Sequence, residues 1–222
     1  MTTRIFLVRH GSTILSAEDR FAGATDVPLS DEGREQAKKL SHRLSKESMD
    51  AIYASPLNRT METASIIAAP HERKVIPQDA LREINHGRWE ERTREEVEKL
   101  FPDEYSKWEE DPFTFAPEGG ESGLQVTARA LPSLLQIVRN HEGKKALIVS
   151  HKATIRLILS LLLGFDPRAY RDRLDQSPAS LNILDFKDLA HARLILFNDV
   201  SHCSYSSSET PDISQRRLSK WW

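Results

Sequence analysis

Residues 4–11 read Arg4-Ile5-Phe6-Leu7-Val8-Arg9-His10-Gly11. Four consecutive apolar residues closed off by a glycine form the pattern of a strand buried on both faces. Such strands belong to parallel sheets covered by helices. The run stops on Arg9 and His10, two side chains that carry charge or a lone pair rather than core packing. In open α/β sheets, ligands bind at the carboxyl ends of the strands. The first strand therefore delivers reactive groups where a ligand is expected.

The rest of the chain repeats the alternation. Ser30 is a predicted N-cap, and Glu32–Lys46 read as an amphipathic helix with Ala37, Leu40 and Leu44 inward. Ala51-Ile52-Tyr53 is a short strand. Ser55-Pro56 come next as the expected N-cap and first-turn proline of a helix reaching about Ala69. Val75-Ile76 is a third strand, and Leu124–Val138 is a long helix. Lys145–Val149 is the clearest buried strand, and Ser150-His151 turns into a helix over 153–163. Two more strands are predicted at 180–186 and 192–198. The expectation is an α/β fold, a three-layer α/β/α sandwich whose mostly parallel sheet carries helices on both faces.

One domain is expected over residues 1–200, with 81–122 as a lid-like excursion and 201–222 as a Ser-rich tail. Within the excursion, Thr93-x-x-Glu96 is a capping box that opens a short helix to Leu100. Pro102, Pro112 and Pro117 are expected to break the segment between that helix and Glu121. The charge run Glu90–Lys99 reads as a solvated helix face, and Trp89 as a packing residue.

Composition excludes several classes. The 31 Lys and Arg nearly balance 33 Asp and Glu, which argues against a nucleic-acid partner bound through net basic charge. The lone Cys203 permits neither an internal disulfide nor a Cys-cluster metal site, and it fits a reducing, cytoplasmic setting. The apolar stretch Ile155–Leu163 is interrupted by Arg156 and Ser160 and is too short to span a bilayer. No membrane association and no targeting segment are expected. There is no dinucleotide fingerprint, Walker-type loop or close set of His, Asp and Glu ligands, so no cofactor and no metal are expected.

Three strand ends converge in this reading. The first presents Arg9 and His10, the second opens a helix carrying Arg59, and the fourth ends at His151. Glu83 and His86 come after the third strand and close the crevice. Two guanidiniums match phosphate oxygens with permanently charged forks. Two imidazoles offer a nucleophile and a hydrogen-bonding partner, and a carboxyl group can protonate a leaving alkoxide. Phosphoryl transfer needs little beyond in-line positioning and charge stabilisation.

Leu7-Val8-Arg9-His10-Gly11 resembles the hallmark of the histidine phosphatase superfamily, the phosphoglycerate mutase-like enzymes. The likeness continues through Gly23-x-x-Asp26-x-Pro28-Leu29-Ser30-x-x-Gly33 and Ser55-Pro56-Leu57-x-Arg59-Thr60. It extends to Glu83-x-x-x-Gly87-x-Trp89-Glu90, Gly120-Glu121-Ser122 and Val149-Ser150-His151-x-x-x-x-Arg156. The resemblance implies that His10 accepts the phosphoryl group as a phosphohistidine. Arg9, Arg59 and His151 would bind that group, and Glu83 would act as general acid and then as base toward water. The substrate would be a small phosphomonoester, and a homodimer is one option that relatives suggest. Two positions depart from the common pattern: Ser16 stands where many members have Asn, and Lys152-Ala153 where many have Gly-Gly.

Around the catalytic set, Ser16, Arg20, Gly23, His86 and Lys152 are candidate substrate-binding residues. His86 is open between facing the substrate and capping the turn at Gly87. Lys152 is open between pocket and solvent, and His202 between a tail returning over the pocket and plain exposure. Glu83-Ile84-Asn85-His86-Gly87 together with His202 is similar to the metal-independent phosphoserine phosphatases. Phosphoglycerate mutases of the family carry a longer excursion than the 38 positions that separate Glu83 from Glu121 here, which favours hydrolysis. A mutase and a non-catalytic binding or regulatory relative are the alternatives.

Overall fold

The computed structural model describes residues 1–17 and 20–203, the side chains of Ser16 and Ala17 excepted. The expected tail is thus described only at 201–203, and the rest of it lies outside the described residues.

The opening strand is β1, Thr3–Arg9. After it come α1 (Asp31–Leu44), β2 (Ala51–Ala54), α2 (Asn58–Ala68) and β3 (Val75–Pro77). The excursion holds α3 (Arg94–Leu100) and α4 (Pro102–Glu110). Then come α5 (Gly123–Asn140), β4 (Lys145–Ser150), α6 (Lys152–Leu162), α7 (Tyr170–Arg173), β5 (Leu181–Phe186) and β6 (Ala192–Asp199). The six strands form one sheet in the order β3-β2-β4-β1-β5-β6. β1 to β4 run parallel, while β5 and β6 are antiparallel additions at one side.

Side-chain alternation along β1 builds two cores. Ile5 and Leu7 point to the face where α5 and α6 supply Leu134, Ile137, Ile155 and Ile158. Phe6 and Val8 point to the opposite face, against Leu40 of α1 and Ile67 of α2. Every β1 residue from Ile5 to Val8 is at most 1% exposed, so a one-residue slip would exchange the two cores. Helix termini are made as the sequence predicts in two places. Ser30 accepts from the Gly33 N–H, and Thr93–Glu96 forms a complete capping box. Ser122–Gln125 forms a second box, and α5 runs unbroken through Pro132.

Two expectations are corrected. Ser55 is not an N-cap: α2 begins at Asn58, and its Leu57 cap makes no side-chain bond. The Ser55 hydroxyl is instead drawn to His151 at the end of the neighbouring strand. Pro102 does not interrupt the chain but starts α4, because a first-turn proline loses no hydrogen bond that the helix would make.

The excursion carries its own small core, in which Trp89 packs with Phe21, Val97 and Trp108. The Trp89 indole N–H donates to Glu104 at 3.0 Å. Among the described residues, no helix is long and apolar enough to cross a membrane.

The loop after β1 passes so close to α1 that side chains are excluded from both. A Cβ at Gly11 would overlap the Gly33 carbonyl oxygen, and one at Gly33 would overlap the Ser12 carbonyl oxygen. Neither backbone can retreat without moving His10. Gly33→Ala is expected to cost about 1–3 kcal/mol in urea denaturation. An unchanged midpoint would show that the loop yields.

Candidate active site

Register puts the reactive residues side by side. Arg9 of β1 pairs with Ser150 of β4, and Ala54 of β2 pairs with Val149 of β4. The pairing continues past the strand ends, where the His10 N–H donates to the Ser150 carbonyl and the Ser55 N–H to the Val149 carbonyl. His10, His151 and Ser55 are therefore neighbours although far apart in sequence. The two imidazoles meet edge to face with centroids 5.2 Å apart. A cavity of about 210 Å³ opens there, lined by Arg9, His10, Arg59 and Glu83 among others.

His10 is positioned through its ring. Nδ1 lies 2.8 Å from the Gly11 carbonyl oxygen. A carbonyl only accepts, so Nδ1 carries the proton and Nε2 keeps its lone pair. Burial, reinforced by Arg9 and Arg59, holds the His10 pKa well below the ordinary histidine range. His151 is fully buried and shifts the same way, by burial first and then through Arg59, His10 and Arg9. Its Nε2 is 2.8 Å from the Ser55 hydroxyl, while its buried Nδ1 has no hydrogen-bond partner. If the Ser55 hydroxyl donates to Nε2, the proton sits on Nδ1; His151 itself is not among the described cavity-lining residues and meets the site through the His10 ring.

Backbone oxygens hold both arginines. Arg9 Nη1 donates to the Gln176 carbonyl at 2.6 Å. The buried amides of Gln176 and Asn182 pair through two hydrogen bonds, and Asn182 Nδ2 reaches the Leu7 carbonyl. This ties the Gln176 loop to β1. Burial lowers the Arg9 pKa to about 10, which leaves it charged at neutral pH. Arg59 donates to the carbonyls of Thr25 and Gly23, both at 2.7 Å, and it too is lowered by burial.

Glu83 sits on the start of α6. Its carboxylate accepts from the N–H groups of Ala153 and Thr154, the Thr154 hydroxyl and its neighbour's Ile84 N–H.

The candidate substrate-binding residues separate. Arg20, His86 and Lys152 line the cavity. Arg20 Nη1 also donates to the Glu91 carbonyl at 2.8 Å. His86 resolves toward the cavity: its side chain makes no cap bond and stands edge-on to Phe21 at 4.7 Å. Gly23 is not among the described cavity-lining residues; its backbone lies behind them, supporting Arg59. The Ser16 side chain lies outside what the structure describes. His202 is neither exposed nor over the pocket. It is 7% exposed, packed beside Lys39 and Arg43 of α1, and burial draws its pKa down to about 4.

Several residues escape the sequence reading. Arg94, Arg156, Tyr170 and Arg171 line the same cavity, and of these only Arg156 stood within a quoted motif. Glu90 corrects the solvated-face reading of its charge run. Its carboxylate accepts from the N–H groups of Gly23, Ala24, Thr25 and His86 and from the Thr25 hydroxyl. Burial opposes its ionisation, but these bonds prevail and hold its pKa below the usual range. Glu90 thus clamps the loop whose carbonyls hold Arg59. Among the described residues, no group of three or more His, Cys, Asp or Glu side chains could hold a metal ion.

A family model of the histidine phosphatase superfamily (branch 1) matches residues 5–200. The chain belongs to the histidine phosphatase superfamily. Phosphoserine phosphatase 1 of Hydrogenobacter thermophilus is 37% identical over 163 residues, which span 73% of this chain and 77% of that protein. A probable phosphoglycerate mutase of Yersinia enterocolitica is 34% identical over 83% of this chain and 86% of its own length. Among solved structures, a phosphoserine phosphatase from Entamoeba histolytica, in complex with 3-phosphoglyceric acid, superposes with a TM-score of 0.80 at 30% identity. That match covers 90% of this chain and 98% of the other. This member of the superfamily thus shares its fold with named phosphatases and its sequence with named mutases.

Two outcomes are expected of this superfamily member. Unfolded histidines take up protons as the pH falls through about 6.5, whereas buried His10 and His151 resist them. The unfolded state then binds more protons, so stability rises with pH in this window and falls on acidification. The urea midpoint should be lower at pH 5 than at pH 7, and the difference should shrink in His10→Gln; equal differences in both proteins would contradict it. Glu90→Ala leaves the clamped N–H groups without their acceptor and should cost about 1–3 kcal/mol by the same measurement. A midpoint equal to that of the parent protein would remove the clamp.

Proposed function

We propose that the chain is a phosphomonoester hydrolase that acts on a small phosphorylated metabolite through a phosphohistidine on His10. The observation that carries this reading is the His10 tautomer, with Nδ1 tied to the Gly11 carbonyl and Nε2 unprotonated, in a cavity shared with Arg9 and Arg59 and with the His151 ring packed against His10. Nε2 attacks phosphorus and forms a P–N bond while the ester P–O bond breaks. The alkoxide leaves with a proton from Glu83. A water molecule then attacks phosphorus, Glu83 takes its proton, and the P–N bond breaks to release phosphate and restore His10. Splitting one displacement into two through a good nucleophile is covalent catalysis.

The charged groups support each step. Arg9 and Arg59 match the phosphoryl oxygens with guanidinium N–H groups and stabilise charge that spreads over them. The cavity volume, at the small end for ligand sites, suits a compact substrate. The short excursion between Glu83 and Glu121 supports water access to the intermediate and hence hydrolysis over phosphoryl relocation. A half-buried free thiol at Cys203 fits a cytoplasmic setting.

The test is a screen of small phosphomonoesters, phosphoserine and phosphoglycerates included, that reads phosphate release and isomerisation together. Phosphate release should exceed isomerisation. His10→Ala should lose at least about a thousandfold in kcat, as removal of a nucleophile does. Isomerisation faster than release would favour the mutase, and near-parental turnover in His10→Ala would dismiss His10 as the acceptor.

A further inference from the structure

The peptide unit that joins Gly11 to Ser12 carries the carbonyl that accepts from His10 Nδ1. A peptide is flat, so the direction of that carbonyl is fixed once its N–H edge is fixed. Gly11 does not fix the plane by itself, because glycine restricts its own dihedrals least. The plane is set from outside the loop, by side chains of α1.

Gln36 takes the opposite edge of the same unit: the Ser12 N–H donates to its Oε1 at 2.9 Å. The close approach at Gly33 brings Ser12 within reach of Gln36. The Gln36 amide is itself oriented, since Nε2 donates to the Glu32 carboxylate one turn earlier at 3.0 Å. A flipped amide would set a donor against the Ser12 N–H and an oxygen against a carboxylate, so this orientation satisfies both ends. Neighbouring groups of the loop are engaged elsewhere. The Gly11 N–H donates to Thr63 Oγ1 at 3.2 Å, and the Thr63 hydroxyl donates to the Arg59 carbonyl at 2.7 Å. The Ser12 carbonyl accepts from the Ser30 N–H at 2.9 Å and from the Ser30 hydroxyl at 3.2 Å. Among the described residues, Gln36 supplies the one acceptor of the Ser12 N–H. Hydrogen bonds in series also polarise one another, so a peptide whose N–H donates offers a stronger carbonyl acceptor. Without the Gln36 bond the plane is freer and the acceptor weaker. The Nε2–H tautomer, which has no lone pair at the attacking nitrogen, then gains population.

We propose that Gln36 is a positioning residue for the nucleophile: through the Gly11–Ser12 peptide it holds His10 in the Nδ1–H tautomer, with Nε2 free to attack. This rests on the hydrolase reading and deepens it. Gln36 touches neither substrate nor the reacting atoms and acts through His10 alone.

Two-bond proton–nitrogen NMR correlation of the histidine rings reads the tautomer without substrate, and His10→Gln identifies the His10 signals. The parent protein should show an Nδ1–H ring. In Gln36→Met, similar in length but without the amide, the two nitrogen shifts should move toward each other as the tautomers mix. Gln36→Glu keeps an acceptor for the Ser12 N–H and should keep the parent spectrum. Activity is read with p-nitrophenyl phosphate, whose leaving group needs no proton. Gln36→Met should lower its kcat/KM about five- to tenfold, the scale of one hydrogen bond, and Gln36→Glu should recover most of the loss. Competitive inhibition by inorganic phosphate, which Arg9 and Arg59 hold, should change less than about twofold in either variant. Thermal melting verifies folding. Should Gln36→Met unfold, Gln36→Asn, one methylene short of Ser12, carries the same expectations. A His10 spectrum equal in the parent protein and Gln36→Met, or a parent ring in the Nε2–H form, overturns the role. So does a Gln36→Glu protein as impaired as Gln36→Met. If the parent protein hydrolyses neither p-nitrophenyl phosphate nor any monoester of the screen, the hydrolase reading fails, and the ring spectrum alone decides whether Gln36 sets the tautomer.

Discussion

The site depends on one constraint, the parallel register of β2, β4 and β1. Backbone hydrogen bonds align the three strand ends, so Ser55, His151 and His10 emerge at the same level. The register is enforced from within. Ile5 and Leu7 fill one core and Phe6 and Val8 the other, so no slipped pairing keeps both cores filled. The same apolar packing that stabilises the domain thereby fixes the spacing of the two imidazoles. The antiparallel β5 adds the outer support, because Asn182 and Gln176 lock the loop on which Arg9 rests.

Burial sets the chemistry of what the register assembles. A histidine exposed to water would be partly protonated near neutrality, and a protonated imidazole has no lone pair for attack. Inside the cavity wall, desolvation and the nearby guanidiniums keep His10 neutral, and the Gly11 carbonyl selects the tautomer. The arginines resist the same desolvation because their intrinsic basicity is high enough to survive it.

Sequence reading recovers what lies next to a strand end along the chain. Arg9, His10 and His151 were legible because each directly succeeds an apolar run, and Arg59 because it sits in the first turn after one. Ser30 and Thr93 were legible because capping is decided within four residues. Ser55 was misread for the same local reason: Ser-Pro looks like a cap, and the histidine that takes its hydroxyl is 96 positions away. Pro102 obeys one rule as a breaker and another as a helix start, and the preceding turn decides which. Glu90 looked like one more solvated acid because its five donors come from residues 23–25 and 86, gathered only when the excursion folds back. Arg94 and Arg171 could not be read at all, since Trp108, which joins them, lies in a third helix.

The manner in which Arg9 and Arg59 are held has a kinetic consequence. Both donate to main-chain carbonyls, so neither has its charge cancelled by a carboxylate partner. Dipoles anchor them in place while a net positive potential escapes through the cavity mouth. A chain whose overall charge is −2 then presents a cationic wall at the opening of this cavity. Small dianions are drawn to that opening from solution, and their capture slows as dissolved salt screens the field over about a nanometre.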